Sequence, residues 1–289
     1  MKKEHRCLLY SMINNLIISV IKVIGGVMFK INSLLADGMH TFSDFITDVI
    51  SFVGLKISRK KPTKTHPFGF GKIAYLTNLF VGVVIFLLGC FIIISGFGKE
   101  GATPSITILY LLLVVFVLKL MAIIVMHRVG KKINSQTLIT STRESMADLY
   151  STIGVAIITI LLQFKDKWQL LRYADLVGTV LIGIIVIKTS ILVIVSNSLS
   201  LIGEVETSSE VISRLENFIK DFKSVEACRI NLIKYGVYYK LELELELDSK
   251  LSLKQITNLE SKIKRQIIRH RSFNVKYVDV YVADKLGDE

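Results

Sequence analysis

Long runs of apolar residues, separated by short polar segments, fill the chain up to about residue 203. An α-helix needs about 20 predominantly apolar residues to cross the hydrocarbon core of a bilayer. Six runs reach that length, so the pattern predicts six transmembrane helices. They lie at 8–29, 33–57, 73–97, 105–126, 136–164 and 173–197.

The pattern changes at residue 204, where apolar positions begin to repeat with the periods of amphipathic helices and half-buried strands. From Leu241 to Leu247, leucine and glutamate alternate without a break, so one face of that strand is apolar. The order αββαβ predicts an open sheet with its helices on one face, a ferredoxin-like α+β domain at 204–289 that follows a transmembrane domain at 1–203. The helices are predicted at 208–222 and 252–271, and the strands at 225–233, 238–247 and 275–283.

Composition agrees with this division, since 51% of the 289 residues are hydrophobic and the mean hydropathy is +0.53. These values exclude an ordinary soluble protein and are typical of a polytopic α-helical membrane protein, whose constant partner is the lipid bilayer. The net charge of +12 needs no nucleic-acid partner, because the basic residues cluster in short loops. By the positive-inside rule, these loops predict that the N- and C-termini lie in the cytoplasm, and only the basic loop 165–172 disagrees with this orientation. We expect the protein to lie in the cell (plasma) membrane.

Ionisable residues interrupt the second and fifth predicted spans. His40 and Asp44, like Glu144 and Asp148, are four residues apart and therefore share a helical face. The three acidic residues together cost on the order of 8–10 kcal/mol in a bilayer, which indicates a function. Asp44 and Asp148 lie at a similar depth, roughly 18–20 Å from the cytoplasmic ends of their helices. Four such side chains can surround one divalent metal ion, so we expect a metal site.

Two further interpretations of these residues stay open. The acidic groups could instead form a structural cluster with intramembrane lysines, for which Lys22, Lys119 and Lys188 are available, or they could serve a proton-coupled carrier of organic cations. Asp37 and Asp48 lie near the same face of the second span. We expect Asp37 to be an outer-mouth or turn-capping residue and Asp48 to line the inner access path.

Three segments resemble those of the cation diffusion facilitator (cation efflux) family, and the likeness extends over nearly the whole chain. They read SLLADGMHTFSD from Ser33, HPFGFGK from His66 and SMADLYST from Ser145. The resemblance implies a homodimeric carrier that exports a divalent metal from the cytoplasm in exchange for protons. It also implies that His40, Asp44, Glu144 and Asp148 bind the transported ion.

The chain departs from the family pattern at three places. Zinc-transporting members usually have histidine at the position of Glu144, and a site of one imidazole and three carboxylates suits manganese or iron(II) relatively better than zinc. A second metal site in the loop after span two retains only His66, because Thr63 and Phe70 replace its other ligands, so we expect that site to be absent. The histidines that often bind regulatory zinc in the cytoplasmic domain are also replaced, so dimerisation is the expected role of that domain. The residues at those positions are Glu226, Glu244 and Tyr281.

The leading hypothesis is therefore secondary active efflux of Mn²⁺, Zn²⁺ or Fe²⁺ by proton antiport, with no cofactor beside the transported ion. The alternatives are a membrane-embedded metal sensor and a proton-coupled exporter of organic cations. Enzymatic activity finds no support, because the sequence contains neither a glycine-rich phosphate loop nor a nucleophile constellation.

Overall fold

The computed structural model describes residues 2–97, 104–133, 136–165, 167–207, 209–222, 224–236, 238–248 and 251–283. Residues 208, 223, 237, 249–250 and 284–289 of the predicted C-terminal domain lie outside these ranges. The described part contains eight α-helices and three strands. They are α1 Lys2–Met28, α2 Asn32–Ser58, α3 Ile73–Gly96, α4 Thr107–Ile133, α5 Gln136–Leu162, α6 Ala174–Ile202, α7 Ser209–Lys220, β1 Val225–Tyr235, β2 Tyr238–Leu247, α8 Leu253–Arg269 and β3 Val275–Ala283.

Five of the described helices, α1, α3, α4, α5 and α6, are long and apolar enough to cross a membrane. Helix α2 has 27 residues and is long enough, but it is not among these five, and Asp37, His40, Asp44 and Asp48 interrupt its apolar sequence. The structure thus supports a multi-pass helical membrane protein with five candidate spans. A membrane-spanning role for α2 remains a prediction.

The first of two compact units comprises residues 1–50 and 80–194. Its apolar core includes fully buried side chains such as Leu34 of α2, Ile108 of α4 and Val186 of α6. Large apolar side chains also point outward along the helices, and on α3 Phe80 and Ile94 are 64% and 70% exposed. An apolar exterior is what a helix in contact with lipid requires.

Glycines bring neighbouring helices of this unit close together. On α3, Gly82 and Gly89 face α6, and a Cβ added to Gly89 would lie 2.7 Å from Cγ1 of Ile187. On α2, a Cβ at Gly38 would lie 2.8 Å from the backbone nitrogen of Val23 in α1. Small residues at such contacts allow the backbones to approach, as is common between membrane helices.

The second unit comprises residues 51–79 and 195–289 and contains a small mixed sheet. The strand order is β1-β2-β3, with β1 antiparallel and β3 parallel to β2. Leu241, Leu243 and Leu245 of β2 are at most 1% exposed and share one core with α7 and α8. The predicted αββαβ order and the helices on the apolar face of the sheet are confirmed. The ferredoxin-like type and the domain boundary at residue 204 remain predictions.

The segment after α6 is joined to β1 by a short antiparallel bridge between Val205 and Ile233. Beside it, the Lys234 ammonium donates a hydrogen bond of 2.8 Å to the Glu204 carboxylate. This hydrogen bond lowers the pKa of Glu204 and raises the pKa of Lys234. The ion pair therefore helps to fix the start of the C-terminal region against the sheet.

We predict that Leu243→Ala destabilises the C-terminal unit by about 2–5 kcal/mol, because it removes a fully buried side chain and leaves a cavity. The neighbouring Glu244→Ala is the matched control. Glu244 lies on the polar face of the sheet and forms only a half-exposed ion pair of 3.6 Å with Arg229, which is worth about 1 kcal/mol or less. Thermal unfolding of the purified protein measures both changes. Equal losses of stability in the two variants would contradict the assignment of the leucine face to the core.

Candidate metal centre

Two helices bring three potential metal ligands together. His40 and Asp44 of α2 and Asp148 of α5 each offer one ligand atom, and these atoms lie within 4.8 Å of one another. The spacing of four residues places His40 and Asp44 on one face of α2, as the sequence predicts. The side chains are 14%, 35% and 16% exposed, respectively, so the group is partly buried. Within the part of the chain that the structure describes, it is the one such group of at least three His, Cys, Asp or Glu residues.

His40 has unused hydrogen-bonding capacity. Its Nδ1 atom is buried and has no hydrogen-bond partner among the described residues. The nearest carboxylate oxygen, Oδ1 of Asp44, is 3.8 Å away, which is too far for a hydrogen bond. Buried polar atoms are normally paired, so an unpaired imidazole nitrogen beside a carboxylate fits a site that receives a cation.

Asp148 is already engaged with a lysine. Nζ of Lys119 on α4 lies 2.8 Å from Oδ2 of Asp148 and donates a second hydrogen bond of 2.8 Å to Oδ1 of Asn15 on α1. Lys119 is only 1% exposed. The pairing of intramembrane acids with lysines, expected as an alternative to metal binding, therefore occurs inside the metal centre itself. Sequence reasoning did not find Asn15, although a polar residue in an apolar span is a signal for it.

Glu144, the fourth predicted ligand, is exposed and lies outside this group of three. It precedes Asp148 by one helical turn and interacts with it electrostatically. Asp48, the predicted inner access residue, is also exposed and interacts with both Glu144 and Asp148. The two acids therefore extend the negative charge of the site beyond its ligand atoms.

Asp37 is fully buried and forms a second ion pair. Its Oδ2 atom lies 2.7 Å from Nζ of Lys22 on α1, and both side chains are 1% exposed. Ser151 of α5 donates a hydrogen bond of 2.8 Å to Oδ1, and Lys22 also donates to Thr152 at 2.9 Å. This network joins α1, α2 and α5, which is a structural arrangement; the access role of Asp37 stays a prediction. The third lysine considered, Lys188, is exposed.

Another buried carboxylate, that of Asp175 on α6, caps the N-terminus of α2. It accepts hydrogen bonds from the backbone nitrogens of Asn32 at 2.9 Å and Ser33 at 2.8 Å. Negative charge at a helix N-terminus satisfies unpaired N–H groups and the helix dipole. The cap fixes the start of the helix that carries His40 and Asp44. Sequence reasoning missed it, because a capping residue from a distant helix leaves no local pattern.

His66 lies in the second unit and is exposed. Its Nδ1 atom is 3.0 Å from the hydroxyl of Thr65, and its ring lies against Phe70 with centroids 4.7 Å apart. Phe70 stands where a second loop site would need a ligand, and its ring contributes an apolar contact instead.

A helical unit of membrane-spanning character with imidazole and carboxylate side chains close together on two helices is typical of a metal-cation transport protein. A model of the cation efflux transmembrane domain matches residues 8–202. The chain therefore belongs to the cation efflux family, which confirms the resemblance seen in the sequence. It is a transporter by family, not an enzyme.

Relatives of known name extend the likeness over almost the full length. The chain is 26% identical to the manganese efflux system protein MneP of Bacillus subtilis (strain 168), over 95% of this chain and 94% of MneP. It is 24% identical to the manganese efflux system protein MneS of the same organism, over 96% and 95% of the two chains. It is also 25% identical to an uncharacterized transporter of Methanocaldococcus jannaschii, over 98% of this chain and all of that protein.

We predict that Lys22→Met lowers the stability of the helical unit by about 3–5 kcal/mol, because it leaves the buried Asp37 without a counter-charge. Lys22→Met combined with Asp37→Asn should recover most of this loss. Thermal unfolding of the detergent-solubilised protein measures both. The exposed Lys188→Met is the matched control and should change stability by less than about 0.5 kcal/mol. A loss in Lys22→Met no larger than in this control would exclude a stabilising role for the buried pair.

Proposed function

We propose that the protein exports a divalent transition-metal cation from the cytoplasm by secondary active transport, with protons as the exchanged ion. The observation that supports this most directly is the group of His40, Asp44 and Asp148, whose ligand atoms lie within 4.8 Å of one another. Because the group joins two helices of one apolar unit, a relative movement of α2 and α5 would change access to the ion.

Manganese is the proposed physiological cation, with iron(II) and zinc as further substrates. Two of the three residues in the group, Asp44 and Asp148, are carboxylates. Oxygen ligands suit Mn²⁺ relatively well, whereas softer ligands favour Zn²⁺. Two relatives are named as manganese efflux proteins, which supports the same choice. The exposed Asp48 and Glu144 would attract the cation from the cytoplasmic side.

Exchange with protons follows from the chemistry of the ligands. A metal binds the deprotonated carboxylates and the neutral imidazole, so protons compete with it for the same atoms. In the proposed cycle, the ion binds from the cytoplasm to His40, Asp44 and Asp148, with Glu144 beside them, and protons displace it on the opposite side. We further propose a homodimer in the cell membrane, with cytoplasmic termini and the C-terminal sheet domain at the dimer contact.

Transport should depend on the acidic ligand of α5. In vesicles that contain the purified protein and have an acidic interior, we expect Mn²⁺ uptake, which collapses when the proton gradient is abolished. Asp148→Ala should reduce the initial rate at least about a hundredfold, since it removes both a ligand and charge from the site. Fluorescence quenching of a metal-sensitive dye inside the vesicles measures the rate.

The control for this experiment is Lys188→Ala, which removes an exposed charge from α6 and should transport normally. Wild-type vesicles that take up none of Mn²⁺, Fe²⁺, Zn²⁺ and Co²⁺ would contradict the proposed function. Tight metal binding without flux would favour the metal sensor. Substrate fluxes that a metal chelator leaves unchanged would favour the exporter of organic cations.

Glu144→His tests the preference for manganese. An imidazole at this position, one turn from Asp148, would add a nitrogen donor beside the three ligands and make the site softer, so the ratio of Zn²⁺ to Mn²⁺ uptake should rise about tenfold. Parallel uptake assays of both ions in the same vesicle preparation measure the ratio. Glu144→Gln is the control, since it removes the charge without adding a nitrogen ligand. An unchanged ratio in Glu144→His would contradict the preference derived from oxygen ligands.

A further inference from the structure

Lys119 places an ammonium group at the edge of the candidate metal centre. Its ammonium donates to the carboxylate of Asp148 and to the amide oxygen of Asn15, both at 2.8 Å. Both partners accept hydrogen bonds, so the lysine acts as the donor in both contacts. Its electrostatic influence also reaches Asp44 and Asp48.

This charge weakens the attraction of the site for a cation. With a neutral imidazole at His40, Asp44 and Asp148 carry one negative charge each, and Lys119 cancels one of them. The three ligand residues and the lysine therefore hold a net charge of only −1, half of what one divalent ion needs for neutrality. Interactions between charges so close together in a poorly solvated site are strong, so the deficit matters for binding.

Glu144 supplies the missing charge. It lies outside the group of ligand atoms but interacts electrostatically with Asp148, one helical turn away. Adding its carboxylate brings the net charge of these five side chains to −2, and the exposed Asp48, which interacts with Glu144 and Asp148, adds a further negative charge at the edge of the site. Because Glu144 is not among the three ligands brought together, its charge can be removed without removing a ligand.

We propose that Lys119 is a tethered counter-cation that sets the charge of the metal site, and that Glu144 compensates for it. This inference rests on the proposed function. It makes Lys119 a determinant of affinity and release: the lysine keeps the bound cation from being held too tightly for transport. It also gives Glu144 an electrostatic reason to be acidic that is separate from its properties as a ligand.

The test measures Mn²⁺ binding by calorimetry on the full-length protein in detergent, and the KM and maximal rate of Mn²⁺ uptake in vesicles. Lys119→Gln should tighten the dissociation constant about ten- to a hundredfold and lower the maximal rate, because the site becomes too negative. Glu144→Gln should weaken binding by a similar factor. The double variant should return to within about threefold of wild type, since the two substitutions restore the original charge.

Three matched variants separate charge from structure. Lys119→Arg keeps the charge and should bind like wild type. Lys188→Gln combined with Glu144→Gln removes an exposed lysine instead and should remain as weak as Glu144→Gln alone. Asn15→Asp combined with Glu144→Gln moves the compensating carboxylate to the other side of Lys119 and should restore binding. This last pair also tests the proposal if Lys119→Gln does not fold.

If Lys119→Gln weakens binding instead of tightening it, Lys119 only positions Asp148 and the proposal is overturned. A double variant that combines the losses of both single variants has the same meaning. Wild-type protein that binds Mn²⁺ without transporting it would contradict the proposed function, while the dissociation constants still decide on the charge pair. Wild-type protein that does not bind Mn²⁺ would overturn both.

Discussion

The ion pair between Lys119 and Asp148 is the interaction on which the arrangement of the helical unit depends. A buried charge is tolerated only when it is paired and hydrogen-bonded, so Lys119 needs both Asp148 and Asn15. Meeting this requirement fixes α1, α4 and α5 against one another. It also holds one carboxylate oxygen of Asp148 at the lysine ammonium. The same side chain offers a ligand atom within 4.8 Å of those of His40 and Asp44.

Helix α2 is fixed against its neighbours by two further buried carboxylates. Asp175 caps its N-terminus, and Asp37 pairs with Lys22 one turn before His40. The close approach of α1 that brings Lys22 within 2.7 Å of Asp37 depends on Gly38, where a Cβ would collide with the backbone of Val23. Among the described residues, the buried side-chain polar atoms left without a partner are Ser33 Oγ and His40 Nδ1. The polar networks are thus satisfied around the site, and the unpaired nitrogen lies within it.

The sequence was sufficient for features that depend on local periodicity. Apolar length and alternation predicted the long helices and the αββαβ order, and the spacing of four residues placed His40 beside Asp44. It could not predict how facing helices are shifted along their axes, and Glu144, expected among the ligands, lies outside the group of three, one turn from Asp148. Its role as a ligand stays a prediction. The partners of Lys22 and Lys119 depend on residues more distant in sequence, so composition identified the lysines but not their contacts. Hydropathy alone does not identify α2 as a span, because the polar residues proposed for function interrupt its apolar sequence.

A buried lysine at a cation site opposes binding of the cation, and its presence is explained when release is considered as well as uptake. A carrier has to give up its ion on the far side of the membrane, and a site with every charge available to the metal would hold it longer. A positive charge 2.8 Å from a ligand carboxylate shortens the time for which the ion is held, which serves release. Lys119 lowers the affinity at constant ligand geometry, and the charge of Glu144 on the adjacent turn can restore it. The combination of a buried cation and an exposed compensating acid therefore fits a site through which ions pass.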